Sequence, residues 1–72
     1  MNDPKAVDSL LEGHPDLLTT DEVAELMRVS QNTVLRWINT MGLTVISVGP
    51  RLRRIQRSDL REWLLEADQL KD

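Results

Sequence analysis

Seventy-two residues suffice for one small domain, near the lower limit at which a hydrophobic core alone holds a fold. The chain has no cysteine, a single histidine (His14), two tryptophans as its only aromatic residues, and a formal net charge of -3. That inventory excludes disulfides and thiolate metal sites, gives no basis for a histidine-built metal centre, and lacks the aromatic platforms on which single-strand nucleic-acid binders stack bases.

Residues 1–16 read as an N-terminal appendage, a short helix or a partly disordered segment. Asp3 is placed to cap, Pro4 suits a first helical position, and Gly13 followed by Pro15 ends the segment. Val7, Leu10 and Leu11 share one face of that helix. Helices this short are marginal in isolation, so the strip packs on the domain, docks on a neighbouring molecule, or frays.

Residues 17–70 carry the domain proper. Thr19 and Glu22 have the spacing of a capping box, and Leu18 with Val23 that of a hydrophobic staple. They predict a helix from Thr20 to about Arg28 that buries Val23, Ala24 and Met27. Ser30 reads as a new N-cap, and Gly42 as the residue just past the next helix end. Between them Val34, Trp37, Ile38 and Met41 fall on one side of a helical period. Two helices separated by so short a turn cannot stay collinear, which is the layout of a helix-turn-helix. Beyond Gly42 two β-branched or apolar runs, TVIS and LRRI, flank Gly49-Pro50-Arg51 and predict a small hairpin, a wing. In it Leu52 is expected to pack on the helices while Arg51 and Arg53 project outward. Ser58 is expected to cap a last helix through about Leu70, with Leu60, Trp63, Leu64 and Ala67 facing inward.

Charge is distributed unevenly along this layout. From Met27 to Ser58 there is no Asp or Glu, yet the window holds Arg28, Arg36, Arg51, Arg53, Arg54 and Arg57. Segregated positive charge is the footprint of phosphate-backbone binding even in an acidic chain. On the second helix of the pair, the side opposite the predicted core presents Asn32, Leu35, Arg36 and Asn39, with Gln31 and Thr33 flanking. Asn and Gln pair bidentately with adenine and Arg with guanine, while Ser, Thr and helix N-terminal amides suit phosphate oxygens. Leu35 reads as surface apolarity, with a thymine-methyl or partner contact as the alternatives. The carboxylates lie without a nucleophile or base beside them, so no catalytic residue, metal, cofactor or small-molecule ligand is expected. No apolar run approaches the ~20 residues of a membrane span and no secretory leader opens the chain, so a cytoplasmic protein is expected.

The segments LLTTDEVAELMRVSQNTVLRWI and MGLTVISVGPRLRRIQRSDLREWL together resemble the small excisionase and MerR-like winged helix-turn-helix family, over residues 17–65. The resemblance implies a mainly α fold with a small β-hairpin. It implies that Ser30, Gln31, Asn32, Thr33 and Arg36 lie on a helix entering the major groove, and that Arg51, Arg53 and Arg54 lie on a wing gripping the adjacent minor groove or backbone. Arg28 stands where the family usually has glycine, which implies a left-handed residue or a differently built turn. Arg28 and Arg57 are further candidates for phosphate contact. Excisionases bind attachment-site DNA in cooperative arrays, bend it and direct an integrase toward excision. The implied partners are therefore double-stranded DNA and a phage-type integrase, in the nucleoid of a bacterial or phage-infected cell. A small MerR-like regulator of promoters is the alternative; the lack of a sustained heptad or ligand module favours the excisionase. Head-to-tail self-association through Val7, Leu10 and Leu11 would supply cooperativity.

Overall fold

Side-chain caps set three of the four helix starts in the computed structural model, which describes residues 1–69. Asp3 accepts from the Lys5 amide at 3.1 Å and opens α1 (Pro4–Leu11). Thr19 and Glu22 close a reciprocal capping box at 2.9 and 3.0 Å and open α2 (Thr20–Met27). Ser30 accepts from the Thr33 amide at 3.2 Å and opens α3 (Gln31–Thr40). Each cap satisfies an amide that has no partner inside its own helix.

The fourth helix begins differently. The strand β3 (Leu52–Gln56) runs straight into α4 (Arg57–Glu66), with Gln56 as an uncapped flanking residue. Ser58 lies inside this helix and does not cap it. The Arg57 amide donates instead to the Asp16 carbonyl at 2.8 Å, so a tertiary contact takes the place of a side-chain cap. A 3₁₀ turn, Ala67–Gln69, follows α4, and the expected end at Leu70 lies outside the described residues.

Two further strands flank β3. They are β1 (Leu17–Leu18) and β2 (Ile46–Val48), antiparallel to it in the order β1-β3-β2. Leu18 pairs with Ile55, Leu17 with Gln56, Ile46 with Arg54, Ser47 with Arg53, and Val48 with Leu52. Leu18 and Ile55 are wholly buried and so define the inner face. Strict alternation then places Leu17, Ile46, Val48 and Leu52 together on the outer face. The expected orientation of the wing is thereby reversed: Leu52 is 51% exposed, Ile55 packs on the helices, and Arg53 shares the side of Ile55.

The core gathers Leu18, Val23, Val34, Ile55 and Leu60, with Leu43, Leu64 and Leu65 around them. Val7 and Leu11 join it because α1 packs on α4. The N-terminal strip therefore belongs largely to the core, and only Leu10 of its three residues stays exposed. A head-to-tail contact built on that strip is corrected accordingly. Ion pairing reinforces the packing: Arg61 of α4 donates to Asp8 of α1 at 2.6 Å, which holds the Asp8 carboxyl below its usual range. Asn2 adds bonds from its amide to the Leu65 carbonyl (3.0 Å) and from its side chain to the Leu64 carbonyl (2.6 Å). Also in the C-terminal half of α4, Trp63 meets Trp37 of α3 with ring centroids 5.1 Å apart and planes at 37°. The Trp63 indole N–H donates to the Met41 carbonyl at 2.8 Å, pinning α4 to the end of α3.

Candidate nucleic-acid interface

The angle between α2 and α3 is set at Arg28. Its backbone is left-handed, φ 59° and ψ 44°, and it is the one non-glycine residue with positive φ among those described. The Arg28 amide donates to the Glu25 carbonyl at 3.2 Å and the Val29 amide to the Ala24 carbonyl at 2.9 Å. This pair of bonds is the Schellman arrangement, which normally calls for glycine. Of the two alternatives at this position, a left-handed residue or a differently built turn, the left-handed residue is the one present, occupied by arginine. Its side chain is exposed and makes no hydrogen bond or ion pair among the described residues.

From that turn α3 presents two opposite sides. Val34 is buried, and Trp37, Ile38 and Met41 are half-buried on the same side. Asn32, Arg36 and Asn39 are exposed and recur at helical spacing, so they form one outward stripe. At the N-terminal end, the Ser30 and Thr33 hydroxyls bond each other at 3.0 Å, and Gln31 donates to the Thr20 hydroxyl at 3.1 Å. Gln31 thereby ties α3 to the start of α2.

Beside this end of α3 the wing closes a cleft. Gln31 and Leu35 line it from α3, and Arg51, Arg53 and Arg54 from the wing. Leu35 is half-buried there and is not a purely surface residue. Pro50 at the turn of the wing and Thr19, Thr20 and Asp21 at the start of α2 complete the lining, and the sequence reading missed the three α2 residues. Asp21 is a carboxylate in an otherwise cationic cleft. An acid-free window in the sequence does not produce an acid-free surface when another helix end folds against it. Arg54 turns back on the Arg53 carbonyl at 2.9 Å. The Glu22 carboxyl is held below its usual range, mainly by hydrogen bonds from the Thr19 amide and hydroxyl and in smaller part by the charge of Arg54.

Arg57 stands apart from these groups. Its guanidinium donates to the His14 carbonyl and, at 3.2 Å, to Asp16. It clamps the segment before β1 and lines a second, open groove with residues of α1. The structure thus brings Gln31, Arg51, Arg53 and Arg54 into one cleft, sets Asn32, Arg36 and Asn39 on the adjoining helix stripe, leaves Arg28 exposed at the turn, and separates Arg57 from all of them. Among the described residues no group of three or more His, Asp or Glu is arranged to hold a metal ion, and no helix is long and apolar enough to cross a membrane.

Two helices meeting at a tight turn, with a polar outward helix beside an arginine-bearing hairpin, define the winged helix-turn-helix class of DNA-binding proteins. The sequence profile described as "Helix-turn-helix domain" matches residues 17–68, and the chain belongs to that DNA-binding family, which includes excisionase-like proteins. Neither a curated protein nor a solved structure gives a significant match.

Proposed function

We propose that the protein is an excisionase: it binds attachment-site DNA, bends it, and biases an integrase toward excision. The observation that carries the DNA-reading half is the juxtaposition of the Asn32–Arg36–Asn39 stripe with the arginine-lined cleft. In this reading α3 enters the major groove. Asn32, Arg36 and Asn39 address base edges, while Ser30, Gln31 and Thr33 hold the helix end whose amides face phosphate. Arg51, Arg53 and Arg54 on the wing meet the adjoining backbone or narrow minor groove, where negative potential is enhanced. Arg28 reaches a phosphate beside the turn. Arg57, engaged by His14 and Asp16, is left out of the contact set.

The experiment has two arms. Replacing Arg51 and Arg53 together by Ala should weaken binding to all duplexes alike and shallow the plot of log affinity against log salt by about one unit per lost phosphate contact. Unchanged affinity and slope would remove the wing from the interface. In the second arm, the protein is added to an integrase acting on its own attachment sites. A raised ratio of excision to integration is expected. An unchanged ratio, together with an altered promoter output, would replace the excisionase reading with that of a MerR-like regulator.

A further inference from the structure

Among the described residues, the outer face of the wing sheet is the one place where large apolar side chains are exposed side by side. Leu17, Ile46, Val48 and Leu52 are 48%, 38%, 55% and 51% exposed. The pairing register puts all four on the face opposite Leu18 and Ile55. Val48 and Leu52 are directly opposed, and Ile46 lies one pair further along. The face ends at an open edge, because β2 is paired on one side only. Among the described residues, no backbone hydrogen bond reaches the far side of Ile46, Ser47 or Val48. That edge also lacks the usual protection. Its sequence is Ile-Ser-Val, with no Lys, Pro or other charge to deter a second strand.

We infer that β2 is a self-pairing edge, and that its occupant is β2 of a second copy of this chain. The chemistry points to a like surface. The groove bordering the face, lined in part by Leu17 and Ile46, sets Lys5, Arg57 and Arg61 against Asp8, Glu12 and Asp16. Two of these form ion pairs within the chain, Arg57 with Asp16 at 3.2 Å and Arg61 with Asp8 at 2.6 Å. The wing's cations stand one strand in from the edge, Arg54 opposite Ile46 and Arg53 opposite Ser47 on β3. A β2–β2 joint therefore keeps those of the two copies three strand spacings apart, roughly 14 Å and beyond a Debye length. What is offered is an apolar, neutral strand edge, and its complement is another such edge. Antiparallel pairing that uses the whole strand centres on Ser47. Ser47 then faces its own copy across a two-fold axis, Ile46 faces the partner's Val48, and the two sheets join as β1-β3-β2-β2-β3-β1. An isologous contact of this kind closes after two copies.

Area sets its strength. The four side chains expose on the order of a few hundred Å², against the roughly 800 Å² per partner of a stable complex. The pair is therefore weak in dilute solution and becomes populated where copies are concentrated. This inference does not rest on the excisionase reading.

The absence of native cysteine supplies the test. Ser47→Cys places one thiol at the axis, where opposed strand residues come within disulfide range. Without DNA, oxidative dimerisation of Ser47→Cys should outpace that of Glu66→Cys, exposed on α4, on the order of tenfold through effective concentration. Each rate is normalised to the thiol's reaction with a small aromatic disulfide. Adding Ile46→Lys, or separately Val48→Lys, to Ser47→Cys should return the rate to the control level while circular dichroism and melting stay those of the parent. Equal normalised rates for Ser47→Cys and Glu66→Cys, or a fast rate that survives both lysines in folded protein, would overturn the pairing. Because no DNA is present, either result leaves the helix-turn-helix assignment untouched.

Discussion

Replacing Arg28 by Gly should stabilise the protein, although arginine is the better residue for almost any other helical position. A non-glycine side chain in the left-handed region costs roughly 1–2 kcal/mol, and Arg28 sits there with φ 59°. Glycine removes that cost but adds about 0.4–1 kcal/mol of unfolded-chain entropy. The expected net gain is therefore about 0.5–1 kcal/mol, a rise of roughly 3–6 °C in melting temperature for a domain of this size. Arg28→Ala is the control, since it removes the same guanidinium and keeps the strained backbone; it should lie within about 0.5 kcal/mol of the parent. Urea titration reads the difference as a shifted midpoint at constant slope. DNA affinity should separate from stability. If Arg28 meets a phosphate, both variants lose the same affinity and the same increment of salt dependence. A glycine variant no more stable than the alanine variant would refute the strain argument.

The other expectations are simpler. Leu11→Ala should cost about 2–5 kcal/mol because the side chain is buried against α4, whereas exposed Leu10→Ala should cost under about 0.5 kcal/mol; thermal melts of the pair report whether α1 is structural. Trp63→Phe leaves the Met41 carbonyl without its indole donor and should cost about 1–3 kcal/mol, measured by chemical denaturation. Arg36→Ala and Asn32→Ala should each lower discrimination at particular base pairs by ~1–3 kcal/mol, read from competition among single-substitution duplexes. Asp8 and Glu22 have carboxyls depressed in the fold by Arg61 and Thr19 respectively, so their stabilisation is full above the unfolded values. It is lost as pH falls through the folded values, starting from about 4.5 for Glu22 and about 3.8 for Asp8, and Asp8→Asn with Glu22→Gln should flatten that acid limb in urea midpoints taken against pH.

What the sequence displayed well was local chemistry. The caps at Asp3, Thr19 and Ser30 act over two or three residues, so their spacing alone locates α1, α2 and α3. Gly42, with φ 78°, marks the end of α3 for the same reason. Non-local choices were hidden. The start of α4 depends on a carbonyl 41 residues away at Asp16, so Ser58 looked like a cap. Leu52 and Ile55 lie three apart on one strand and must face opposite ways, and pairing with the two-residue β1 decides which goes inward. A strand that short has no periodicity to read. Likewise the apolar strip of α1 announced a buried face without naming α4 as its cover. At the candidate interface, the stripe on α3 was legible from helical spacing. The closeness of Asp21 to the wing, and the diversion of Arg57 to Asp16, were not, because both depend on how separate elements meet.

The packing of α1 on α4 also fixes an order of events during synthesis. Val7 and Leu11 are translated well before the surface that shelters them, and Asn2 well before the Leu64 and Leu65 carbonyls that receive it. Larger chains commonly complete an N-terminal unit while the rest is still being translated. Here the first helix must wait, with its apolar side open to chaperones or to other nascent chains, until the fourth has been released. Ribosome-bound chains halted before Trp63 should therefore leave α1 accessible to protease, and release of the full chain should close it.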